Sequence, residues 1–345
     1  MTADIKHLDA HEQPSDELRA KWKAFSRAEP KDLVSSKAID DLQDPETTAE
    51  FCIAGTIPVD RLNRSFRHIC PSDAPEFQAT KDAPIYYHPL LPGLLILPSL
   101  VPPQVQRTLL NHLIHRDLSN PTHQTNLHLH FNLPYPSSPE NKTAISTGTD
   151  NPSSSFFTYP PSSPTSSPQR THPSTTLTIK QVLDRKLHWV TLGGQYDWTN
   201  RVYPECEAPP AFPADVAGFL ETLFPHARAG GDRELLYPGD TMMMHRDVSE
   251  ETNKGLDGED EAGEKAGAEE AGRKEKEFLL LRLRSGDAIY MTKDSRFAWH
   301  GVPKVLKGTC PEYLKDWPAE GGEFEEWRGW MGNKRINLNV RQMRD

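Results

Sequence analysis

Two histidines and one aspartate have the residue types and spacing of a mononuclear metal site. His245 and Asp247 lie two positions apart in the segment MMMHRD, and side chains two positions apart on a strand share one face. His300, in the segment RFAWHGVP near the end of an apolar run, is the third candidate ligand. Two imidazoles and one carboxylate would leave open positions on the ion, at which a substrate can bind.

Two other pairs with the same spacing show that such a pair is weak in isolation. His115 and Asp117 fall in a helical pattern, where residues two positions apart diverge, so we do not expect them to share a metal. His128 and His130 fit a strand, for which a packed or solvated role is the favoured interpretation. The prediction therefore depends on the order of several motifs along the chain.

A C-terminal segment, RINLNVR, adds a cationic face that packing alone does not explain. On a strand, one face would carry four polar side chains: Arg335, Asn337, Asn339 and Arg341. Two guanidinium groups on a buried strand need an anion, and the planar fork of Arg pairs with a carboxylate through two hydrogen bonds. A dicarboxylate that chelates the metal, such as 2-oxoglutarate, accounts for both features in a non-haem Fe(II) oxygenase. A solvated basic strand is the alternative.

In these motifs the chain resembles the AlkB-like branch of the Fe(II)/2-oxoglutarate dioxygenases, and within it the eukaryotic, fungal homologue-one group. The matching segments are LHWVTLGGQYDWTNRVYP (187–204), YPGDTMMMHRDVSE (237–250), LRSGDAIYMTKDSRFAWHGVPKV (283–305) and RINLNVRQ (335–342). The resemblance covers roughly residues 178–345, and its ordered ligands and Arg-x-Asn-x-x-x-Arg element are highly specific.

The resemblance implies an iron site and a cosubstrate site. The catalytic Fe(II) would be held by His245, Asp247 and His300. Arg335 would pair with the distal carboxylate of 2-oxoglutarate, and Asn337 and Arg341 would line the pocket. Tyr196 and Trp198 lie in what resembles the nucleotide lid of the family, where aromatic rings stack on a flipped base; ordinary core or surface aromatics are the alternative.

The chemistry that the resemblance implies is oxidative demethylation of N-methylated bases in DNA or RNA, as in DNA repair and RNA modification. The cofactors are Fe(II), 2-oxoglutarate and O2, and the products include formaldehyde, succinate and CO2. The expected partner is a methylated nucleic acid, single-stranded or with its base flipped out, because the base must leave its stack to reach the metal.

Two stretches depart from the family pattern. The family carries Asn-x-Tyr before the first histidine; aligned on the Pro-Gly pair, these positions are Glu234 and Leu236, with Tyr237 one residue out of register. Tyr237 is nevertheless our candidate for a cosubstrate contact. After Leu256, an acidic low-complexity segment stands where the family has a core strand. The alternatives are a coding sequence that departs from the true exon structure, a non-catalytic or weakened relative with a degenerate pocket, and a hydroxylase of a substrate other than nucleic acid.

The sequence pattern predicts a mainly β fold with flanking helices (α+β) around a double-stranded β-helix, or jelly roll. We expect a polar N-terminal extension over residues 1–80 and the dioxygenase domain over 81–345, with disordered inserts at about 134–176 and 249–277. Phe156 and Phe157 are expected to dock locally, and residues 308–333 are interpreted as an insert rich in Gly and Trp.

Local signals predict individual elements of this fold. Two helices are expected, at Asp16–Ala28 with Ser15 as its cap and at Val105–Arg116. The candidate strands are Leu187–Leu192, Glu234–Tyr237, Phe278–Leu283, Ala288–Thr292, Phe297–Val302 and Arg335–Arg341.

The net charge of the 345 residues is −10, but residues 250–277 alone hold eleven acids and five bases, so the total says little about the working surface.

The composition argues against a membrane-spanning or secreted protein. The longest apolar stretch is broken by Pro92 and Pro98, which argues against a membrane span. No signal peptide is expected, and the four cysteines have no zinc-type spacing. We therefore expect a nuclear or cytoplasmic location.

Overall fold

The computed structural model describes residues 9, 12–128, 130–133, 135, 155–165, 176–194, 210–224, 242–246 and 276–340. The α-helices in these ranges are α1 (Asp16–Arg27), α2 (Pro30–Ser35), α3 (Pro45–Thr48), α4 (Val59–Ile69), α5 (Pro103–Asn111), α6 (Ile179–Arg185) and α7 (Ala214–Leu223). The strands are β1 (Cys52–Ile57), β2 (Ala83–His88), β3 (Leu91–Leu97), β4 (Met242–His245), β5 (Ala288–Met291) and β6 (His300–Val302).

The strands form two antiparallel sheets. One has the order β1-β2-β3-β5, and the other pairs β4 with β6. In the larger sheet, Leu94 lies opposite Met291 and Leu97 opposite Ala288, so β5 joins strands that precede it by about two hundred residues. Sheets and helices together make a mixed α+β fold. Among the described residues, no helix combines the length and apolarity needed to cross a bilayer.

The two predicted helices form, with one difference. Ser15 Oγ accepts a hydrogen bond from the amide of Leu18 at 3.2 Å and caps α1 as predicted. Helix α5 begins at Pro103, where a missing N–H costs nothing. It continues as a π-helix over His112–Leu118, past the predicted end at Arg116.

Part of the N-terminal segment belongs to the main fold. Strand β1 pairs with β2, and α4 packs on α7, with the rings of Phe66 and Phe219 6.3 Å apart. The apolar residues of α4 recur three or four positions apart, so one face of the helix is buried. Residue 80 therefore does not separate two packing units.

Several predicted strands are shorter than expected. The segment 187–192 contributes an isolated bridge between Val190 and Thr125, and 278–283 one between Leu281 and Asp40. Within the described part of 335–341, Leu338 has a bridge and no ladder follows. A β-strand forms where an extended segment hydrogen-bonds to a partner over several consecutive residues. The segments 187–192 and 278–283 each pair with a partner at a single residue, so they form bridges instead of strands. Strand β6 begins at His300 because a 3-10 helix occupies Lys293–Phe297.

Residues 308–333, interpreted from the sequence as an insert rich in Gly and Trp, instead contribute to a large cluster of buried apolar residues, here called the main core. The three tryptophans of this segment are almost completely buried: Trp317, Trp327 and Trp330. Phe157 makes edge contacts with them, at 4.7 Å from the ring of Trp327. The predicted docking of Phe156 and Phe157 is thus confirmed. Residues 134, 136–154, 166–175 and 249–275 of the two predicted inserts lie outside the described residues.

Candidate metal centre

The short pair of strands β4 and β6 brings two predicted ligands together. His245 lies opposite His300 in the antiparallel register. Directly opposed residues share one face of a sheet, and the two imidazole centroids are 4.3 Å apart with ring planes at 53°. Both side chains are half-buried. The pairing of β4 with β6 thus places two imidazole rings side by side from positions 55 residues apart.

A backbone carbonyl fixes the tautomer of the His300 imidazole. His300 Nδ1 lies 3.0 Å from the carbonyl oxygen of Ala298. A carbonyl can only accept, so Nδ1 donates its hydrogen, and the neutral ring then carries its lone pair on Nε2. This is the common arrangement of a metal-ligating histidine, whose other nitrogen donates to a carbonyl or carboxylate.

The donor chemistry fits Fe(II). Imidazole nitrogen is a favoured ligand of iron, and two of them with a carboxylate form the facial triad of non-haem oxygenases. Among the residues that the structure describes, no group of three side chains could hold a metal ion. Asp247, the predicted third ligand, lies outside those residues.

Arg335 and Asn337 lie in a segment that its neighbours hold in place. Lys334 Nζ is 2.9 Å from a carboxylate oxygen of Asp184, and Ile336 packs against the main core. The Nε and Nη2 atoms of Arg335 are buried. A carboxylate matches the fork of a guanidinium through two hydrogen bonds. The chemistry of Arg335 therefore suits an anionic cosubstrate.

The remaining predicted site residues lie outside the described parts of the chain: Tyr196, Trp198, Tyr237 and Arg341. The same holds for the departures at Glu234 and Leu236 and for the stretch after Leu256. Their roles stay predictions.

His115 and Asp117, set aside as a metal pair, have structural roles. The ring of His115 stacks between Trp317 and Phe324, at 5.2 and 5.0 Å. Asp117 pairs with the guanidinium of Arg116, whose Nε is 2.7 Å from a carboxylate oxygen. Side chains two positions apart on this π-helix therefore serve different neighbours, as the sequence pattern predicts.

A buried charge cluster links the π-helix to α7. Arg116 also contacts Asp215, as does His112, at 2.8 and 2.7 Å. Burial alone would raise the pKa of Asp215, but hydrogen bonds from His112 and Arg116 hold that pKa below its usual range. Burial raises the pKa of Asp117 against the effect of Arg116. The cluster joins elements about a hundred residues apart and is structural.

Sequence reasoning missed the groups that surround the histidine pair. The carbonyl of Ala298 has no sequence signal, because every residue carries a backbone acceptor. Arg246 and Trp299, which flank the histidines, contact each other with the guanidinium carbon 4.5 Å from the ring centre. The signal that could have found them is their position, since each is one residue from a predicted ligand.

Comparison with known proteins gives a family match for part of the chain. The profile of the 2OG-Fe(II) oxygenase superfamily matches residues 265–341, which include His300 and Arg335.

Relatives extend the likeness to the whole chain. It is 59% identical, over the full length of both proteins, to the N6-methyladenosine RNA demethylase ALKB1 of Pyricularia oryzae. It is 60% identical to the N6-methyladenosine RNA demethylase ALKBH of Cryphonectria parasitica, over 64% of this chain and all of that protein. It is 34% identical to a tRNA demethylase of Schizosaccharomyces pombe, over 73% of this chain and 80% of that one. The chain therefore belongs to the 2OG-Fe(II) oxygenase superfamily, within the fungal AlkB-like group.

Proposed function

We propose that the protein is an Fe(II)/2-oxoglutarate-dependent dioxygenase that removes N-methyl groups from bases in nucleic acid. The observation that carries this proposal is the pairing of His245 with His300, in a chain that matches demethylases along its whole length. Fe(II), 2-oxoglutarate and O2, when bound, supply an oxidation that hydroxylates the N-methyl carbon, with loss of formaldehyde and release of succinate and CO2.

Individual side chains of this protein are assigned two further roles in the proposal, binding the iron and orienting the cosubstrate. In the proposal, Asp247 completes the iron site begun by the two histidines. Arg335 orients the cosubstrate by pairing with its distal carboxylate, since its fork fixes both position and angle. Asn337, Arg341 and Tyr237 lie alongside in the same pocket.

The substrate proposed first is N6-methyladenosine in RNA. Two relatives at about 60% identity carry that activity in their names. An enzyme cannot reach its target atom on a base inside a duplex, so a single-stranded or flipped-out base is favoured. In this proposal Tyr196 and Trp198 stack on the extruded base, because base–aromatic stacking contributes about 1–3 kcal/mol per base without demanding a sequence.

Two further nucleic-acid substrates have support from relatives. A protein of Arabidopsis thaliana that is 28% identical over 47% of this chain is named a DNA N(6)-methyladenine demethylase, and the relative from Schizosaccharomyces pombe acts on tRNA. Both therefore belong in a test of specificity.

A substrate panel tests the proposal. Single-stranded RNA with one N6-methyladenosine, the same sequence as DNA, a duplex of each and total tRNA are incubated with Fe(II), 2-oxoglutarate and O2. Nucleoside mass spectrometry then measures the methylated base, with His245→Ala as control. We expect loss of N6-methyladenosine from single-stranded RNA with wild type alone. Failure on every nucleic acid, with 2-oxoglutarate still consumed, would favour a hydroxylase of another substrate, and failure of iron to bind would favour a non-catalytic relative.

The fold and location form part of the same proposal. We infer that the two described sheets belong to one jelly roll, the fold implied by the family. Cys52 and Cys310 are thiols rather than disulfides, which suits a reducing nuclear or cytoplasmic compartment. A fluorescently tagged protein seen in neither compartment would contradict this location.

A further inference from the structure

The N-terminal residues 12–28, here called the N-terminal strap, are fastened to segments beside the histidine pair. At one end, Glu12 Oε2 lies 2.8 Å from Arg246 Nη1. At the other end, Lys304 Nζ donates to the carbonyls of Ser26, at 3.3 Å, and Ala28, where α1 ends. A cation is well placed there, since the last carbonyls of a helix carry negative partial charge. The strap therefore spans from the end of β4 to the residues after β6.

A third fastening lies in the middle of the strap. Lys21 Nζ is 2.5 Å from a carboxylate oxygen of Glu277, and the rings of Phe25 and Phe278 meet edge to face at 6.1 Å. This contact holds the strap without touching either strand that carries a histidine.

Arg246 and Trp299 lie immediately beyond the paired ends of the two strands. His245 ends β4 and lies opposite His300, which begins β6, so Arg246 follows the first histidine and Trp299 precedes the second. The guanidinium of Arg246 lies 4.5 Å from the ring centre of Trp299. The Arg246 side chain is 23% exposed, and its buried Nε has no hydrogen-bond partner among the described residues.

We infer that Glu12, Arg246 and Trp299 are positioning residues that set the separation and angle of the two histidine rings, and that the N-terminal strap thereby controls iron affinity. The inference rests on the proposed iron site. Two paired strands are marginally stable by themselves, so the contact of Arg246 with Trp299 at their ends helps to fix the geometry of the two rings. A cation–π contact contributes about 0.5–2 kcal/mol, and a working site must hold its ligands within about 0.5 Å.

The charge of the Arg246 side chain and the planarity of its guanidinium have separate roles in these contacts. The carboxylate of Glu12 holds one end of the guanidinium, while the guanidinium carbon lies over the indole ring. Lysine at position 246 keeps the charge and can still meet both partners, but it lacks the planar fork. Glutamine loses the cation and is shorter.

The test compares the full-length protein with Glu12→Gln, Arg246→Gln, Arg246→Lys and the control Lys21→Gln. Fe(II) affinity is measured anaerobically by competition with a chelator, and melting temperature is measured on the metal-free proteins. We expect Arg246→Gln to weaken Fe(II) binding about 10-fold or more, the range for groups that orient metal ligands. We expect a smaller loss for Glu12→Gln and rescue of most of the affinity in Arg246→Lys.

The control separates positioning from general stability. Lys21→Gln breaks a strap contact remote from the histidine strands, so it should change the melting temperature about as much as Glu12→Gln and leave iron affinity unchanged. Because Glu12 is about half exposed, its variant should fold even if those at Arg246 do not.

Three outcomes would overturn the inference. They are unchanged iron affinity in folded Glu12→Gln and Arg246→Gln, equal loss in Glu12→Gln and Lys21→Gln, and failure of the wild type to bind Fe(II). The third would overturn the proposed function as well. A wild type that binds iron and responds as expected but demethylates nothing removes the proposed substrate and supports the inference.

Discussion

His300 Nδ1 and the carbonyl oxygen of Ala298 are 3.0 Å apart, a contact made two residues back along the same chain. A carbonyl has no hydrogen to give, so it selects the ring form with hydrogen on Nδ1. The lone pair is then on Nε2 before any metal arrives, and no change of tautomer is required for binding.

The first prediction concerns this ring form. In metal-free protein, we expect the neutral ring of His300 to be the Nδ1–H tautomer. Long-range ¹H–¹⁵N correlation spectra, assigned with His300→Gln, report which nitrogen is protonated. A ring protonated on Nε2 alone would contradict the assignment of Nε2 as the iron ligand.

The second prediction concerns Arg335. Arg335→Lys keeps the charge and loses the two-pronged pairing with a carboxylate, so we expect the KM for 2-oxoglutarate to rise about 10- to 100-fold, the loss of about 1.5–3 kcal/mol expected for a charged hydrogen bond. Fe(II) affinity in the absence of 2-oxoglutarate should not change. Arg328→Lys, at an exposed ion pair with Glu325, is the control. An unchanged KM in Arg335→Lys would remove the role given to this side chain.

The third prediction concerns the pH dependence of stability. Arg284 holds both carboxylate oxygens of Asp41 at 2.7 Å, and these hydrogen bonds lower the pKa of Asp41. A lowered native pKa adds stability above the unfolded pKa, near 4, and that stability is lost as the pH falls through the native value. Asp41→Asn should therefore lower the free energy of unfolding by about 1.5–3 kcal/mol at pH 7, and the difference from wild type should shrink below about pH 4.

Urea unfolding at pH 3 to 7 checks this prediction. The control is Asp73→Asn, because Asp73 and Arg67 form an exposed pair, and such pairs contribute about 0–1 kcal/mol. A difference for Asp41→Asn that stays constant down to pH 3 would show that the ion pair is not its source.

The fourth prediction concerns Phe157, which lies in the Ser/Pro-rich region and is 3% exposed. Its ring centre is 4.7 Å from that of Trp327 and 5.1 Å from that of Trp330. Phe157→Ala leaves a cavity in this aromatic core and should cost about 3–5 kcal/mol. Leu90→Ala, at an exposed position, should cost less than about 0.5 kcal/mol. Similar melting temperatures for the two variants would contradict the core role of Phe157.

Sequence reasoning found what short-range patterns and matched motifs encode. The cap of α1 at Ser15 follows from a local hydroxyl rule. The meeting of His245 and His300 follows from the order of motifs in a recognised family, since nothing in the residues between them predicts their register. The fold class is confirmed at the level of antiparallel sheets with helices.

Sequence reasoning failed where burial comes from distant partners. Strand β1 alternates little between exposed and buried positions, so its sequence cannot be distinguished from that of a polar extension. The tryptophans of residues 308–333 follow neither a helical nor a strand period, although Trp317 and Trp327 are 1% exposed. The contact of Glu12 with Arg246 joins residues 234 positions apart, and no local pattern encodes it.

The most direct measurement is an anaerobic titration of the full-length protein with Fe(II) and 2-oxoglutarate, followed through the visible charge-transfer band of the chelate. His300→Ala removes one proposed ligand, and His68→Ala is the matched control because His68 is exposed and contacts Thr222 instead. We expect a saturable band in wild type and His68→Ala and none in folded His300→Ala. A folded wild type without the band, or an unchanged band in His300→Ala, would contradict the proposed iron site.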